Sequence, residues 1–377
     1  MDCAEGQQEG CVGRRVTAPQ ALGVYIFAGG FTLGIRKHFQ VDTHFEDGTF
    51  GVATSKHNGV IQEAFTDPAT WPKERYRNVP LIYGNPPCAP WSAAGHLPKQ
   101  KEKLAAHGAT QKYELDPRVE CVRKQFALLE ELEPTIWVWE SVARAYSTGR
   151  PFVDALTARA QALGYAVTHV LVNGKYCGAP QERRRFFFVA HKVELPFVAP
   201  PLKVPHTVGD ILSKMAYDTD PTIGQEHPDS KAKMTGTIAE FCKDMEPGEG
   251  GHEAFYKWLK RNGKEPELND KGNVKGRPNF LMHRLQYDKV SGTIVSGTCL
   301  IHPEHNRFLT VKETQLLSGY PINYEFIGRD AYAQISKAVL PPVADWLGGI
   351  FRGGIDNNIP VFGATVRTVN YMKGPAA

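Results

Sequence analysis

Residues 79–92 read Val79-Pro80-Leu81-Ile82-Tyr83-Gly84-Asn85-Pro86-Pro87-Cys88-Ala89-Pro90-Trp91-Ser92. The apolar start of this stretch is typical of a buried strand. Pro86 and Pro87 fix φ and prevent a helix, so Cys88 is expected on a stiff loop at the carboxyl end of that strand. Ligands bind at that end in open α/β sheets, and a rigidly held thiol there suits nucleophilic attack. A turn that carries a buried structural cysteine is the alternative that this stretch alone leaves open.

Apolar runs on both sides of this loop follow the pattern of an alternating α/β fold. The strands predicted from them are Gly23–Phe27, Val41–Phe45, Leu81–Tyr83, Ile136–Trp139, Ala166–Val172 and Phe186–Ala190. Helical spacing predicts a helix between Asp116 and Glu133, with Asp116 as its cap, and a second helix from Phe152 to Leu163 that ends at Gly164. The alternation predicts an α/β fold with a doubly wound, mostly parallel sheet and helices on both faces.

The composition and the apolar periodicity of the sequence change after residue 193. Four prolines fall within residues 194–206, and residues 215–280 are charged with weak periodicity. Regular patterning returns at Arg284, with a helix expected over Leu309–Leu317. The predicted division is a flexible N-terminus (1–20), a first domain (21–195), a smaller irregular domain (196–282), a return to the first domain (283–347) and a C-terminal extension (348–377).

Composition limits the function class. The 377 residues carry 44 Lys and Arg against 40 Asp and Glu, a net charge of +4 that permits nucleic-acid binding without showing it. No apolar run approaches the roughly 18 residues that span a membrane, and the polar N-terminus lacks a signal-peptide pattern, so we expect an intracellular, cytoplasmic protein. The seven cysteines have no CxxC spacing, which argues against a disulfide framework and a zinc site. No metal site is predicted.

Glu140 ends the apolar strand that begins at Ile136. A carboxyl group at a strand end beside Trp139 is partly removed from water, which raises its pKa and lets it stay protonated. Such a group can donate to a ring nitrogen. A capping or ion-pairing glutamate is the alternative, and Glu140 alone favours it.

Gln181, Arg183 and Arg185 alternate immediately before a predicted strand. In extended structure they share one face, where two guanidinium groups and an amide suit a phosphate or a base edge. A solvated basic edge strand is the alternative. Earlier in the chain, Glu46 follows the second predicted strand, where an acid commonly binds ribose hydroxyls, and the turn Phe27-Ala28-Gly29-Gly30 precedes it as a weak cofactor signal.

Taken in order, these motifs resemble the DNA cytosine-5 methyltransferase family. The resemblance runs from about residue 22 to residue 347. It rests on Phe27-Ala-Gly-Gly30, Glu46, Pro86-Pro-Cys88, Trp139-Glu-Ser141, Gln181-x-Arg-x-Arg185, Arg284-Leu-Gln-Tyr-Asp-Lys289, Pro303-x-x-x-Arg307, Leu317-x-Gly-Tyr-Pro321 and Gln334-Ile-Ser-Lys337. A single one of these motifs is weak, whereas all of them in register are specific. The implied fold is the class I methyltransferase type with a small target-recognition domain.

The resemblance implies a mechanism. Cys88 would add to C6 of a cytosine flipped out of double-stranded DNA, and Glu140 would hydrogen-bond or protonate N3. The catalytic set it implies is completed by Arg183 and Arg185, with Ser92 and Gln181 as substrate-binding residues. S-adenosylmethionine is the implied cofactor, bound by Phe27, Ala28, Gly29, Gly30, Glu46, Asp67, Pro86 and Lys337. A monomer is expected, in a bacterial or viral setting.

Three motifs depart from the family pattern. The glycine loop Phe27–Phe31 is two residues short, with Tyr25 where Asp is usual. Ser141 and Lys337 each stand where the family carries Asn. A lysine in the donor pocket would favour an anionic one-carbon donor, either a carboxylated S-adenosylmethionine or a reduced folate. Three functions therefore stay open: cytosine-5 methylation, transfer from a non-standard donor, and a catalytically silent DNA-binding homologue.

Overall fold

The computed structural model describes residues 18–92, 112–200, 206–213, 236–270, 274, 282–295, 300–328, 330–361 and 365–373. Its strands are β1 (Ala21–Val24), β2 (Thr43–Phe45), β3 (Glu63–Phe65), β4 (Leu81–Gly84), β5 (Ile136–Val142), β6 (Ala166–Asn173), β7 (Arg184–His191), β8 (His283–Arg284), β9 (Leu300–Ile301) and β10 (Val366–Tyr371). Its α-helices are α1 (Gly30–Ile35), α2 (Val52–His57), α3 (Val119–Leu132), α4 (Ala143–Ser147), α5 (Arg150–Ala162), α6 (Val208–Leu212), α7 (Gly236–Asp244), α8 (Gly251–Arg261), α9 (Val311–Leu317), α10 (Ala331–Lys337) and α11 (Pro341–Asn357).

Eight strands form one twisted sheet in the order β10-β6-β7-β5-β4-β1-β2-β3. Every neighbouring pair is parallel except those of β7, which is antiparallel to both β5 and β6. The predicted mostly parallel, doubly wound α/β sheet is confirmed. The strand order reverses between β1 and β4, so the loops that follow these two strands open into the crevice where such sheets bind ligands.

Side chains on successive strand positions alternate between two apolar cores, one on each face of the sheet. On β5, Trp137 and Trp139 pack in one core, while Ile136 and Val138 pack in the other. Helices α3 and α5 cover the first face, and α1 and α11 cover the second. This period of two explains why the central strands read as continuous apolar runs in the sequence: both of their faces are buried.

The first strand ends three residues earlier than predicted. β1 stops at Val24, and Tyr25 and Phe27 both take left-handed backbone conformations with φ of 55° and 61°. The Glu46 carboxylate supports this turn, since its Oε1 accepts the backbone N–H groups of Ile26 at 2.9 Å and Phe27 at 3.2 Å. Predicting Tyr25–Phe27 as strand was wrong because a carboxylate twenty residues away fixes the turn.

Both predicted helices are present, but the predicted cap of the first was wrong. Helix α3 begins at Val119, and its N-cap Arg118 makes no side-chain cap bond, because Asp116 Oδ1 accepts the N–H of Arg118 at 3.0 Å in the turn before the helix. Gly164 follows α5 with φ of 83°, as predicted for the end of that helix. Further along the chain, α10 ends at Lys337 and Pro341 begins α11.

A third apolar core lies under the irregular part of the chain. It includes Phe241, Phe255 and Trp258 from α7 and α8, and it continues through Leu285, beyond the predicted boundary at residue 282, as far as Leu317. Parts of the predicted domain 196–282 lie outside the described residues, as does the N-terminal segment 1–17.

The C-terminal segment takes part in the first domain. Helix α11 runs through the predicted boundary at residue 347, and β10 extends the sheet by pairing with β6 over six positions from Val366↔Val167 to Tyr371↔Val172. The sequence analysis did not predict this strand, because its side chains are mostly exposed and show no apolar alternation.

Candidate active site

Cys88 lies on the loop that follows β4, at the edge of the crevice. The loop turns back on itself, since Cys88 O accepts the N–H groups of Trp91 and Ser92, both at 3.1 Å. Trp91 anchors the turn in an aromatic cluster with Tyr113, Trp139 and Phe152. Burial raises the pKa of the Cys88 thiol, and the positive charges of Arg185 and Arg183 act in the opposite direction.

Glu140 and Arg185 form an ion pair beside that thiol. Arg185 Nε lies 2.8 Å from Glu140 Oε1, and Glu140 is 4% exposed. Burial raises the pKa of Glu140, while Arg185 and then Arg183 lower it, and the Cys88 thiol is within electrostatic range of all three groups. The neighbouring Ser141 Oγ is buried and makes no hydrogen bond within the described part of the chain. The arrangement can present a carboxyl group and a thiol to one bound molecule.

Arg183 is held by main-chain carbonyls. Its Nη1 donates to Ile294 O at 2.9 Å, and its Nη2 donates to Ala338 O at 3.1 Å and to Ser336 O. Two of its three guanidinium nitrogens are therefore engaged inside the protein. This geometry supports a positioning role for Arg183, whose place in the catalytic set stays a prediction, and Arg185 is the arginine that pairs with Glu140.

Gln181 is likewise buried and joined to other segments. Its Nε2 donates to Leu317 O at 3.3 Å and to Ser318 Oγ at 3.2 Å, and its Oε1 accepts the N–H of Ile294 at 3.2 Å. Through these hydrogen bonds, Gln181 and Arg183 connect the segment before β7 to Leu317 and Ile294 of the third core. Of the three alternating residues predicted to share a face, Arg185 is the one whose Nε forms an ion pair with Glu140.

The turn after β1 forms the other side of the crevice. Ser55 Oγ donates to Phe27 O at 2.9 Å and Tyr324 OH donates to Ala28 O at 2.6 Å, so the protein holds both carbonyls. A Cβ on Gly29 would lie 2.9 Å from Tyr324 OH, and one on Gly30 would lie 2.4 Å from Tyr320 OH. Close packing therefore requires both glycines, which is a structural reason for them beside the predicted donor contact.

Glu46 lies under this turn and is almost fully buried. Burial raises its pKa to about 8, against the effect of the two backbone N–H groups that it accepts. Its Oε2 makes no hydrogen bond to the described residues and remains available to a hydroxyl donor. Asp67 is exposed, and its Oδ1 caps a short turn by accepting the N–H of Ala69 at 2.9 Å.

Lys337 approaches the crevice from the end of α10. Its Nζ lies 4.0 Å from the centroid of the Phe50 ring, which packs edge-on against Phe27. Burial lowers the pKa of Lys337, and the Asp330 carboxylate and the Cys88 thiol oppose this shift. The predicted donor residues Phe27 and Lys337 are therefore joined through Phe50, which the sequence analysis did not single out.

Asn85 is a second residue that the sequence analysis missed. Its Nδ2 donates to Lys337 O at 3.1 Å, so the loop after β4 is tied to the end of α10. The only sequence signal was its position directly before Pro86. Pro86 itself is buried in this loop, and its contact with the donor stays a prediction.

The described ranges contain neither a metal-binding cluster nor a membrane-spanning helix. No group of three or more His, Cys, Asp or Glu side chains there is arranged to hold a metal ion. No helix in the same ranges has the length and apolar character needed to cross a bilayer.

Comparison with known proteins agrees with this geometry. The model of the C-5 cytosine-specific DNA methylase family matches residues 27–349. The chain belongs to this family. Its members in the comparison include the type II methyltransferase M1.HphI of Haemophilus parahaemolyticus, 26% identical over 84% of this chain and 82% of the relative. M.MthTI of Methanothermobacter thermautotrophicus is 25% identical over 74% and 81%.

Solved structures show the same fold. A prophage-encoded protein of Escherichia coli, described as a DNA modification methyltransferase, superposes with a TM-score of 0.58 at 21% identity, covering 90% of this chain and 99% of that one. DNMT2 of Spodoptera frugiperda superposes with a TM-score of 0.56 at 14% identity, over 88% and 99%. The family membership makes this protein a cytosine-5 methyltransferase, with a class I methyltransferase fold.

Proposed function

We propose that this methyltransferase modifies C5 of a cytosine flipped out of double-stranded DNA, through covalent addition of Cys88. The observation that carries the proposal is the placement of Cys88 beside the Glu140–Arg185 pair at the carboxyl edge of the sheet. In a duplex the C6 atom of cytosine is stacked, so the base has to leave the helix to reach a thiol in this crevice.

In the proposed reaction, the Cys88 thiolate forms a bond to C6 and the ring electrons move toward N3 and C5. Glu140 donates a hydrogen bond or a proton at N3, which stabilises the adduct. C5 then forms a bond to the one-carbon group as the bond between that group and the donor sulfur breaks, with the electron pair left on sulfur. A base removes the C5 proton, the returning electrons expel the Cys88 thiolate, and any proton held at N3 goes back to Glu140. Arg185 holds the Glu140 carboxyl in place during these steps.

The crevice fits S-adenosylmethionine, the methyl donor that the family implies. The rings of Phe27 and Phe50, which pack edge to face, give the donor an aromatic surface to contact. Glu46 Oε2 is free to accept a hydrogen bond from a ribose hydroxyl. Bound there, the donor supplies an electrophilic methyl group. Asp67 remains a proposed contact to the adenine, and Gly29, Gly30 and Ala28 shape the turn beneath it.

A carboxylated S-adenosylmethionine is a second candidate donor, supported by Lys337. Its ammonium group lies over Phe50 beside the crevice and within electrostatic range of Cys88. A donor carboxylate would gain from that charge, whereas the sulfonium of the ordinary donor would not. A reduced folate is less favoured, because Glu46 and Phe27 suit an adenosyl group.

Target recognition is assigned to residues 196–282 together with the core that they share with residues 285–317. We further propose that the protein acts as a monomer inside the cell. A silent DNA-binding homologue is disfavoured by the assembled Cys88, Glu140 and Arg185 set, since binding alone does not call for a thiol beside a carboxyl group.

Mass spectrometry of nucleosides, from the DNA of cells that express the protein, tests the proposal. 5-Methylcytosine supports the ordinary donor, and a heavier C5 adduct supports the carboxylated donor. The Cys88→Ser variant serves as the control, and DNA without any new cytosine derivative would contradict the enzymatic proposal.

A further inference from the structure

Asn85 is a buried polar side chain that the reaction described above does not use. It is 2% exposed and lies between the end of β4 and the Pro86-Pro87-Cys88 turn. Gly84, immediately before it, pairs with Val24 of β1 and with Trp139 of β5. Asn85 therefore lies at the carboxyl end of the central strand of the crevice.

The orientation of the Asn85 amide follows from its contact. A carbonyl oxygen only accepts hydrogen bonds, so the group that faces Lys337 O must be Nδ2. The Oδ1 atom then points to the other side of the amide, where it is buried and has no hydrogen-bond partner among the described residues. A buried acceptor without a donor is costly, and such an atom calls for a partner that is absent from the free protein.

The amide is also held rigidly. Lys337 O accepts from Asn85, and the carbonyls on either side of it, Ser336 O and Ala338 O, accept from Arg183. Three successive carbonyls at the end of α10 are thus fixed from two directions. Because the Asn85 amide is already fixed in the free protein, binding a ligand at Oδ1 costs little conformational entropy, which favours binding.

We propose that Asn85 Oδ1 accepts a hydrogen bond from an N–H group of a bound substrate, which makes Asn85 a further substrate-binding residue. This inference rests on the proposed function. Both proposed substrates carry such a group: the donor has an α-ammonium and the target cytosine has an exocyclic amine. Asn85 donates to Lys337 O and precedes Cys88 by three residues, so it is close to a residue proposed for each substrate.

Binding measurements on the whole protein distinguish the two sources. One arm compares S-adenosylhomocysteine with its analogue in which hydrogen replaces the amino group, by titration calorimetry. The other arm compares duplexes that carry cytosine or 2-pyrimidinone, which lacks the exocyclic amine, at the mapped target position. In one of the two arms, the wild type should bind the analogue about tenfold or more weakly than the parent compound. Asn85→Ala should bind the parent compound and the analogue with nearly equal affinity.

Gln125 provides a matched control. It is also a buried amide, with Nε2 donating to Val138 O at 2.8 Å and Oε1 without a partner in the described ranges. Gln125→Met should keep the preference of the wild type. Where Asn85→Ala does not fold, Asn85→Leu, which keeps a similar side-chain volume and lacks the acceptor, takes its place and should likewise show little or no preference.

Two results would overturn the inference: equal affinities of the wild type for parent and analogue in both arms, or an undiminished preference in Asn85→Ala. Absence of S-adenosylhomocysteine binding by the wild type would instead contradict the proposed donor. The DNA arm would then decide the role of Asn85 on its own.

Discussion

Arg185 is the residue on which the electrostatics of the crevice depend most. It is the first charge that lowers the pKa of both Cys88 and Glu140, two groups whose pKa values burial raises. Its Nε is engaged by Glu140, and its Nη1 donates to Arg184 O at 2.8 Å. One partly buried cation thus opposes the rise in pKa that burial imposes on both the thiol and the carboxyl group.

Glu140→Gln should reduce kcat by about 100-fold to 10,000-fold while it changes DNA affinity little, because the bond to N3 matters most in the covalent adduct. Single-turnover rates and DNA titrations measure the two effects. Glu133→Gln, at an exposed glutamate, is the control. A fully active Glu140→Gln enzyme would make this carboxyl group structural.

The two arginines should separate in their effects. Arg183→Lys breaks bonds to the carbonyls of Ile294 and Ala338, so it should lower the free energy of unfolding by about 2–4 kcal/mol. Arg185→Lys should leave the unfolding midpoint near that of the wild type and reduce kcat. Chemical denaturation and single-turnover assays of both variants check this, and equal losses of stability would contradict it.

At the scale of secondary structure, three side chains join the last strand to the sheet. Neutral His191 donates from Nδ1 to Val193 O at 2.7 Å and accepts at Nε2 from Thr168 Oγ1 at 2.9 Å. Thr168 Oγ1 in turn accepts from Arg367 Nε at 3.0 Å. This chain of hydrogen bonds connects β7, β6 and β10 and requires an uncharged imidazole.

Stability should therefore fall in mild acid. Burial lowers the pKa of His191 from 6.5 to about 4, so between these pH values the unfolded chain binds a proton that the folded chain does not. The contribution is complete above about pH 6.5 and is lost as the pH falls toward 4, with a total on the order of 3 kcal/mol. Urea unfolding from pH 8 to pH 5 measures it.

In His191→Gln the dependence of unfolding on pH should be flatter than in the wild type. His57→Gln, at an exposed histidine paired with Glu325, should follow the wild type. Parallel pH curves for the wild type and His191→Gln would contradict the role of this hydrogen-bond chain.

The strands that the sequence predicted well are those buried on both faces. Phe186, Phe187 and Phe188 alternate between the two cores, which gives β7 an unmistakable apolar run. The apolar run does not show whether the strand is parallel or antiparallel to its neighbours. β7 is antiparallel because a short connection that contains the turn Gly174–Cys177 joins it to β6. β3 and β10 are short or exposed and lack the apolar pattern on which such prediction depends.

Candidate site residues could be predicted from the sequence where the side chain has a characteristic reactivity. Cys88 and Glu140 were found in this way, and the structure brings them together. For Arg183 the residue type alone does not identify the partner, because a guanidinium group can bind a phosphate or, as in this fold, three main-chain carbonyls. Asn85 and Phe50 became visible only through their contacts with Lys337.

At the scale of the whole molecule, the third core determines how recognition can be exchanged. Because Leu285, Ile294 and Leu300 pack with Phe241 and Trp258, a replacement limited to residues 200–282 should destabilise the protein. Replacing residues 200–309 as a unit should keep the core matched.

We expect the larger replacement, taken from a related enzyme, to change the DNA sequence that is modified and to preserve the chemistry. Bisulfite sequencing of modified DNA reads the target directly. Thermal unfolding of both replacements measures the packing effect. An unchanged target in a folded, active replacement would place recognition outside this segment.

Covalent trapping tests the central claim most directly. A duplex with 5-fluorocytosine at the target position, incubated with the protein and its donor, should yield a complex that survives denaturation. Peptide mass spectrometry should place the nucleotide on Cys88, and Cys88→Ser should form no such complex while it still binds DNA. A wild-type protein that modifies ordinary DNA without forming the complex, or that forms it at another residue, would contradict the account.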